Sequence, residues 1–351
     1  MKDKLRWGVL GAGGIADRRT IPGMLLCKEA ELVSVMEIDP AAAEHLRAKY
    51  NARRAYTQEE ALLEDPEIDA VYIASPVHLH ARQALLAARL GKHILIEKPL
   101  ALTADEGQRV VDFCAEKGVQ IAAGFMMRFG AGISAMKTAF DAGRLGQMVS
   151  GYSQFTCWYP DIPGAWRQKK AAGGGGALVD MGVHVIDLMQ YVTGSRVKSV
   201  AAFNDTMTFH YEVEDASTVL MRLENGATCV VQSNFNIPDE AAKWRFELFG
   251  TRGRMIGEDV IGQVDGGRVE ARFLTNVGGY DAVQDGKKVE SETLPTVFGN
   301  LYAREIESFC HSILNGEPLA VPASDAVYVQ RVIEAAYLSG RERRSVDVLA
   351  Q

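Results

Sequence analysis

Chemistry in this chain would have to come from a few residues whose types and spacing suit proton and hydride traffic. The densest group is Gly173-Gly174-Gly175-Gly176-Ala177-Leu178-Val179-Asp180-Met181-Gly182-Val183-His184. Four glycines in a row disfavour helix, because glycine loses the most backbone entropy on ordering, and they let the backbone lie flat against a bound molecule. The segment after them reads as a helix on which Asp180 and His184, at i and i+4, share one face, while Met181, Val185 and Leu188 line another. An acid and a histidine one turn apart at a helix entrance are a candidate proton-transfer pair. Taken alone, they read equally as a capped helix with a core histidine. A second candidate is Glu97-Lys98-Pro99, which sets an ammonium between a carboxylate and a proline at the end of an apolar strand. It can sit beside a reacting hydroxyl or carbonyl, or simply snorkel from a strand end.

The third group is Gly11-Ala12-Gly13-Gly14-Ile15-Ala16, a G-x-G-x-x-A pattern directly after the apolar run Leu5–Leu10. The first glycine makes the tight strand-to-helix turn and the second lets the backbone approach a pyrophosphate. The small third residue allows close helix–strand packing, and the helix N-terminus faces the phosphates. The strand Glu31–Met36 then ends in Glu37, where an acid for the adenosine ribose hydroxyls is expected. Glu37-Ile38-Asp39 offers carboxylates and no neighbouring Arg or Ser for a 2′-phosphate, which favours NAD over NADP.

The elements needed to position these groups follow in order. A helix over Pro40–Tyr50 has Asp39 as N-cap, and capping boxes at Thr57-x-x-Glu60 and Thr103-x-x-Glu106 open two more. Strands at Ile68–Ala74, His93–Ile96 and Val119–Ala123 alternate with helices at His80–Leu90 and from Thr103 to Gly118. This is the pattern of a doubly wound parallel α/β sheet, a Rossmann domain over residues 1–124. Ligands bind outside the carboxyl ends of such strands, so Ser75-Pro76 and Glu97-Lys98-Pro99 should face the cofactor. His78 and His80 lack a third ligand of suitable spacing, and no metal is expected from them.

Residues 125–351 read as a second, α+β domain. A helix over Ser134–Ala142 precedes a strand at Val149–Trp158. After the glycine run and its helix come strands at Val197–Asn204, Thr206–Tyr211, Ser217–Leu223 and Thr228–Phe235. Hairpins are marked by Glu224-Asn225-Gly226 and by Gly250-Thr251-Arg252-Gly253 between Phe246–Phe249 and Arg254–Gly257. Gly278–Glu292 reads as a loop or edge hairpin, and Leu301–Leu314 and Ala323–Leu338 as amphipathic helices. The sheet should be large, open and mainly antiparallel. Its free face should be covered by a second copy of the chain, giving a homodimer or homotetramer.

At 351 residues the chain exceeds one ordinary core. A net charge of −7 argues against a nucleic-acid partner. No window approaches the ~20 apolar residues of a membrane helix. The apolar run after Lys2, Lys4 and Arg6 is too short and too cut by glycines for a secretion leader. Five scattered cysteines without C-x-x-C fit reduced thiols in a cytoplasm better than disulfides or a zinc site.

The combination of Gly11–Ala16, Glu97-Lys98-Pro99 and Gly174–His184, in this order, resembles the glucose–fructose oxidoreductase/inositol dehydrogenase (Gfo/Idh/MocA) family over essentially the whole chain. Gly164-Ala165-Trp166-Arg167 is similar to that family's tryptophan–arginine element. The resemblance implies NAD(P)-dependent oxidation or reduction of a sugar, cyclitol or related polyol, with Lys98, Asp180 and His184 as the catalytic set. It places the cofactor on Gly11, Gly13, Gly14, Ile15, Ala16, Glu37, Ser75, Pro76, His80, Glu97, Lys98 and Arg167. His184 would take the hydroxyl proton while Lys98 and Asp180 orient the hydroxyl. One departure is Ser75-Pro76-Val77-His78-Leu79-His80, where Val77 replaces the family's asparagine and loses any contact from that amide. For the substrate, Arg128, Trp158, Tyr159 and Trp166 join Lys98, Asp180 and His184 as candidates, since aromatic faces stack on sugar C–H surfaces and arginine donates to hydroxyls. Core packing and structural ion pairs compete for each of the four. Two other functions use the same features: a glycoside hydrolase or lyase working by transient oxidation with held NAD, and a dinucleotide-sensing regulator.

Overall fold

The computed structural model describes residues 3–275, 277–280, 282 and 291–348. It contains two compact units. One comprises residues 1–126, 164–174 and 300–330, and the other 127–163, 175–299 and 331–351.

The first unit holds a six-stranded sheet of β1 (Leu5–Leu10), β2 (Ala30–Met36), β3 (Arg54–Tyr56), β4 (Ala70–Ile73), β5 (His93–Glu97) and β6 (Ile121–Gly124). The order is β3-β2-β1-β4-β5-β6 and every pairing is parallel. β4 is buried throughout and β1 nearly so, which is why both read as continuous apolar runs. The connecting helices are α1 (Ile21–Met24), α2 (Pro40–Tyr50), α3 (Glu59–Leu63), α4 (Val77–Arg89) and α5 (Ala104–Lys117). Asp39 caps α2 by accepting from Ala41 N at 2.9 Å, and Thr103 caps α5 by accepting from Glu106 N at 3.2 Å. The other expected capping box is not formed. α3 begins at Glu59 after Gln58, without a side-chain cap, because Glu59 and not Glu60 is drawn inward, to Arg82 and Gln83. Two later pieces complete this unit, the short α7 (Lys170–Gly173) and α9 (Leu301–Asn315), which stacks Phe309 on Trp7 at 5.2 Å.

The second unit is built on a nine-stranded mixed sheet. Its strands are β7 (Met148–Thr156), β8 (Val197–Asp205), β9 (Ala216–Leu223), β10 (Thr228–Asn234), β11 (Arg245–Gly250), β12 (Gly253–Glu258), β13 (Arg268–Phe273), β14 (Glu292–Thr293) and β15 (Val346–Asp347). They run in the order β14-β13-β12-β11-β7-β10-β9-β8-β15. Only β7 and β10 pair in parallel; the rest is antiparallel. The helices α6 (Ala131–Asp141) and α8 (Val183–Thr193) belong here, and α10 (Ala323–Glu342) begins in the first unit and ends in the second. Val149, Phe203 and Leu220 are exposed on their strands, while their sequence neighbours on β9 and β10 alternate into the core. Both expected hairpins form, at Gly226 and between β11 and β12. Most of the expected loop or edge hairpin at 278–292 lies outside the described residues.

Thr206–Tyr211 is not a strand. The fully buried Asp215 carboxylate accepts three consecutive backbone N–H groups, from Met207 (2.8 Å), Thr208 (2.7 Å) and Phe209 (2.9 Å). A side chain that takes three successive donors leaves none for a ladder, so β-rich residues become a clamped loop. Asp215→Ala should leave those donors without their acceptor, cost about 2 kcal/mol or more, and open 206–209 to limited proteolysis while the sheet keeps its circular dichroism.

Candidate active site

In the first unit, the carboxyl ends of β1, β2, β4 and β5 bring the expected dinucleotide residues together. Gly11 turns at φ 72°, and a Cβ there would lie 2.8 Å from Ser75 N, so only glycine lets these two strand ends touch. Glu37 Oε1 accepts from Gly13 N at 2.6 Å, which fixes the acid of β2 against the glycine loop. Gly14, at φ 58°, faces open space, while Ala16 is fully buried against the sheet. Ile15, between them, is half-buried. The loop therefore offers backbone on its open side and close packing on the other, as a pyrophosphate cradle requires.

Ser75 and Pro76 lead into α4, and the Ser75 hydroxyl donates to Gln83 Oε1. His80 lies beneath this loop and not on its outer surface. It is 1% exposed, with Nε2 2.8 Å from Ser75 O and Nδ1 2.9 Å from Pro99 O. Burial pulls its pKa down to about 4, against the two carbonyls. Its place is to tie the β4 loop to the β5 loop, which corrects the expectation of direct cofactor contact: both ring nitrogens are already engaged.

Glu97 ends β5. Its Oε1 accepts from Tyr72 Oη, which accepts from Thr20 Oγ1 at 2.9 Å, and its Oε2 accepts from Lys98 N at 3.3 Å. Lys98 itself is half-buried beside it. Arg167 follows in the single turn Trp166–Gln168, with its guanidinium 4.3 Å over the Trp166 ring. Its charge reaches both Glu97 and His80. Trp166 is thus partly covered by its own neighbour.

The sequence reading missed Glu305. It stands on the apolar face of α9 with Tyr302, Ile306 and Phe309, at i−3, i+1 and i+4, and that placement of an acid was the available signal. Glu305 is 3% exposed, and its Oε1 and the Tyr302 hydroxyl have no hydrogen-bond partner among the described residues. Burial first, then the charge of Glu97, pushes its pKa well above the carboxylate range, and burial also raises Glu97.

In the second unit, Glu214 organises the glycine run. Its carboxylate accepts from Gly176 N (3.0 and 3.1 Å), from Leu178 N (3.0 Å) and from Tyr337 Oη (2.8 Å), while its carbonyl accepts from Ala177 N (3.0 Å). A Cβ on Gly176 would sit 1.9 Å from Glu214 O, and one on Gly175 2.0 Å from Tyr337 Oη. These two glycines are therefore required by contacts within the chain, not by a flat approach to a ligand. Leu178–Gly182 then forms a π turn before α8. Its wider pitch means that Asp180 and His184 are not stacked as in a regular α-helix. Asp180 is half-buried in that turn and His184 is 4% exposed in the first turn of α8.

Arg128 is not a free donor for substrate hydroxyls. It is 7% exposed, makes a two-pronged ion pair with Asp187 at 2.9 and 2.5 Å, and stacks on Tyr191. A planar guanidinium matched to a buried carboxylate is the structural alternative realised. Tyr159 packs its ring on Phe235 at 5.0 Å, and Trp158, 45% exposed, meets Phe209 edge-on.

Comparison with known proteins agrees with this architecture. Residues 5–125 match the oxidoreductase family with an NAD-binding Rossmann fold, and residues 133–256 match the GFO/IDH/MocA C-terminal domain. The chain belongs to the GFO/IDH/MocA oxidoreductase family. A 1,5-anhydro-D-fructose reductase of Ensifer adhaerens is 30% identical, over 89% of this chain and 88% of that protein. A D-xylose 1-dehydrogenase (NADP(+)) of Haloferax volcanii is also 30% identical, over 98% and 100%. Among solved structures, aldose-aldose oxidoreductase from Caulobacter crescentus, complexed with glycerol, superposes with a TM-score of 0.87 at 25% identity, over 98% of this chain and 99% of that one. The protein is an oxidoreductase with an NAD-binding Rossmann domain, and no described helix is long and apolar enough to cross a membrane.

The buried acids generate a pH prediction. An acid whose folded pKa lies above its unfolded value stabilises the fold below the unfolded pKa, and that contribution falls as pH rises toward the folded one. Glu305→Gln, which mimics the protonated acid, should therefore raise Tm by an increment that grows from pH 5 to pH 9, roughly 2–4 °C for each kcal/mol relieved. A difference independent of pH would remove Glu305 as a titrating group.

Proposed function

We propose that this protein is an NAD-dependent dehydrogenase or reductase that moves a hydride between nicotinamide and a carbinol carbon of a sugar, cyclitol or related polyol. The observation that carries the reading is the set of strand ends in the first unit. A glycine loop with its acid fixed on Gly13 N and a lysine at the end of β5 share the carboxyl edge of one parallel sheet. Names of relatives support the substrate class, since they act on xylose or on an anhydrofructose.

Gly11, Gly13, Gly14, Ile15 and Ala16 hold the pyrophosphate, and Glu37 accepts from the ribose hydroxyls. With Glu37-Ile38-Asp39 following β2, a 2′-phosphate would meet carboxylates, which favours NAD although a relative carries NADP(+) in its name. Ser75, Pro76, Glu97 and Arg167 frame the same edge. Bound nicotinamide supplies the hydride acceptor or donor. His184 takes the substrate hydroxyl proton in oxidation and returns it in reduction, a task that needs a group titrating near neutrality and shielded from bulk water. Asp180 orients His184 and the hydroxyl. Lys98 donates to the reacting oxygen and stabilises the charge that develops on it. Tyr159 and Trp166 offer ring faces to the sugar. The exposed Val149, Phe203 and Leu220 are the surface on which a second copy would seat, in a cytoplasmic homo-oligomer.

His184→Ala should lower turnover by ~10²-fold or more while leaving NAD affinity unchanged, measured by nicotinamide absorbance over a panel of sugars and inositols and by titration of cofactor. Unchanged turnover would remove His184 from the proton-transfer role.

A further inference from the structure

A second constellation lies at the opposite end of the parallel sheet from the glycine loop. Glu29 stands immediately before the first residue of β2, whereas the dinucleotide edge is formed by strand ends. From α9, Glu307 and His311 stand at i and i+4, on one face of the helix. One ligand atom from each of Glu29, Glu307 and His311 lies within 4.8 Å of the other two. Glu29 and His311 are half-buried and Glu307 is exposed. Beside them the Cys27 thiol, 8% exposed, donates to Glu29 Oε2 at 3.4 Å. Cys310, the residue before His311, brings a second thiol within hydrogen-bonding reach of Cys27.

Two acids alone would be an ordinary solvated patch. An imidazole and a buried thiol directed at the same carboxylate are a mixed N/O/S donor set, which a patch of acids does not need. From this juxtaposition we propose that Cys27, Glu29, Glu307 and His311 bind one zinc-class divalent cation.

The chemistry fits that class. Tetrahedral zinc takes oxygen, nitrogen and sulfur at about 2.0–2.3 Å, which sets ligand–ligand separations of about 3.4 Å. The present spread exceeds that by little more than an ångström, within reach of side-chain rotations at the exposed Glu307 and the half-buried Glu29 and His311. Thiol and imidazole discriminate against magnesium and calcium, which prefer oxygen alone. All four donors come from the first unit, two from the turn before β2 and two from α9. Because the site sits away from the dinucleotide edge, its role is to staple α9 to the sheet. No spacing such as C-x-x-C announces it; the fold assembles it from positions 27–29 and 307–311.

The test uses the full-length protein stripped with chelator. Calorimetric titration with zinc should give one site per chain, and zinc but not magnesium should raise Tm. Cobalt substituted into the site should show a thiolate-to-cobalt charge-transfer band. His311→Ala and Glu307→Gln should each weaken zinc binding by at least about tenfold, and Cys27→Ser should abolish the cobalt band while NAD binding persists in all three. Zinc binding equally tight in His311→Ala would overturn the proposal, as would a cobalt band that survives Cys27→Ser. Because the readouts are metal stoichiometry, spectrum and Tm, they stand or fall independently of the dehydrogenase reading.

Discussion

Glu214 receives every backbone N–H of the segment 176–178, two on its carboxylate and one on its carbonyl. That segment has no other way to satisfy three donors in a buried position, and the Tyr337 hydroxyl completes the carboxylate's shell. The fit leaves no space for a side chain at Gly175 or Gly176. Everything that follows in the second unit inherits this anchoring: the π turn, its Asp180, and the helix that opens with His184. A group meant to move protons must be held to within a fraction of an ångström, and a glycine run alone is the least suitable backbone for that. The clamp from Glu214 removes the freedom the glycines bring while keeping the close approach they permit.

The first unit solves a related problem with buried acids. Glu97 is pinned by Tyr72 and by the backbone of Lys98, and Glu305 lies close enough for its pKa to be raised by Glu97. Two buried carboxyls near each other cannot both ionise cheaply, so the layer beneath Lys98 holds protons at neutral pH. His80, tied to Ser75 O and Pro99 O, adds a second strut under the same edge. In both units the residues proposed for chemistry thus rest on polar groups that the reaction does not touch.

The parallel sheet was legible because fully buried strands read as apolar runs and because the fingerprint turn needs glycine at a fixed place. Hairpins at Gly226 and Gly253 were legible for the same conformational reason. What escaped the sequence were effects of residues distant along the chain. Asp215 converts Thr206–Tyr211 from expected strand to loop, Asp187 withdraws Arg128 from the substrate, and Glu214 takes over the glycines. Each is an acid whose importance comes from burial, and only its partners reveal that burial. The π turn at Leu178–Gly182 likewise follows from packing: a Cβ on Gly182 would lie 2.9 Å from Ser233 Oγ on β10.

The central claim is that a carbinol carbon and a nicotinamide exchange a hydride on this protein. The most direct measurement takes the sugar or cyclitol with the fastest turnover, deuterated at the carbinol carbon, and follows the label by mass spectrometry and proton NMR of the reduced cofactor. The account predicts one deuterium at the nicotinamide C4 for each product formed. Product formed with no label at C4 would contradict it.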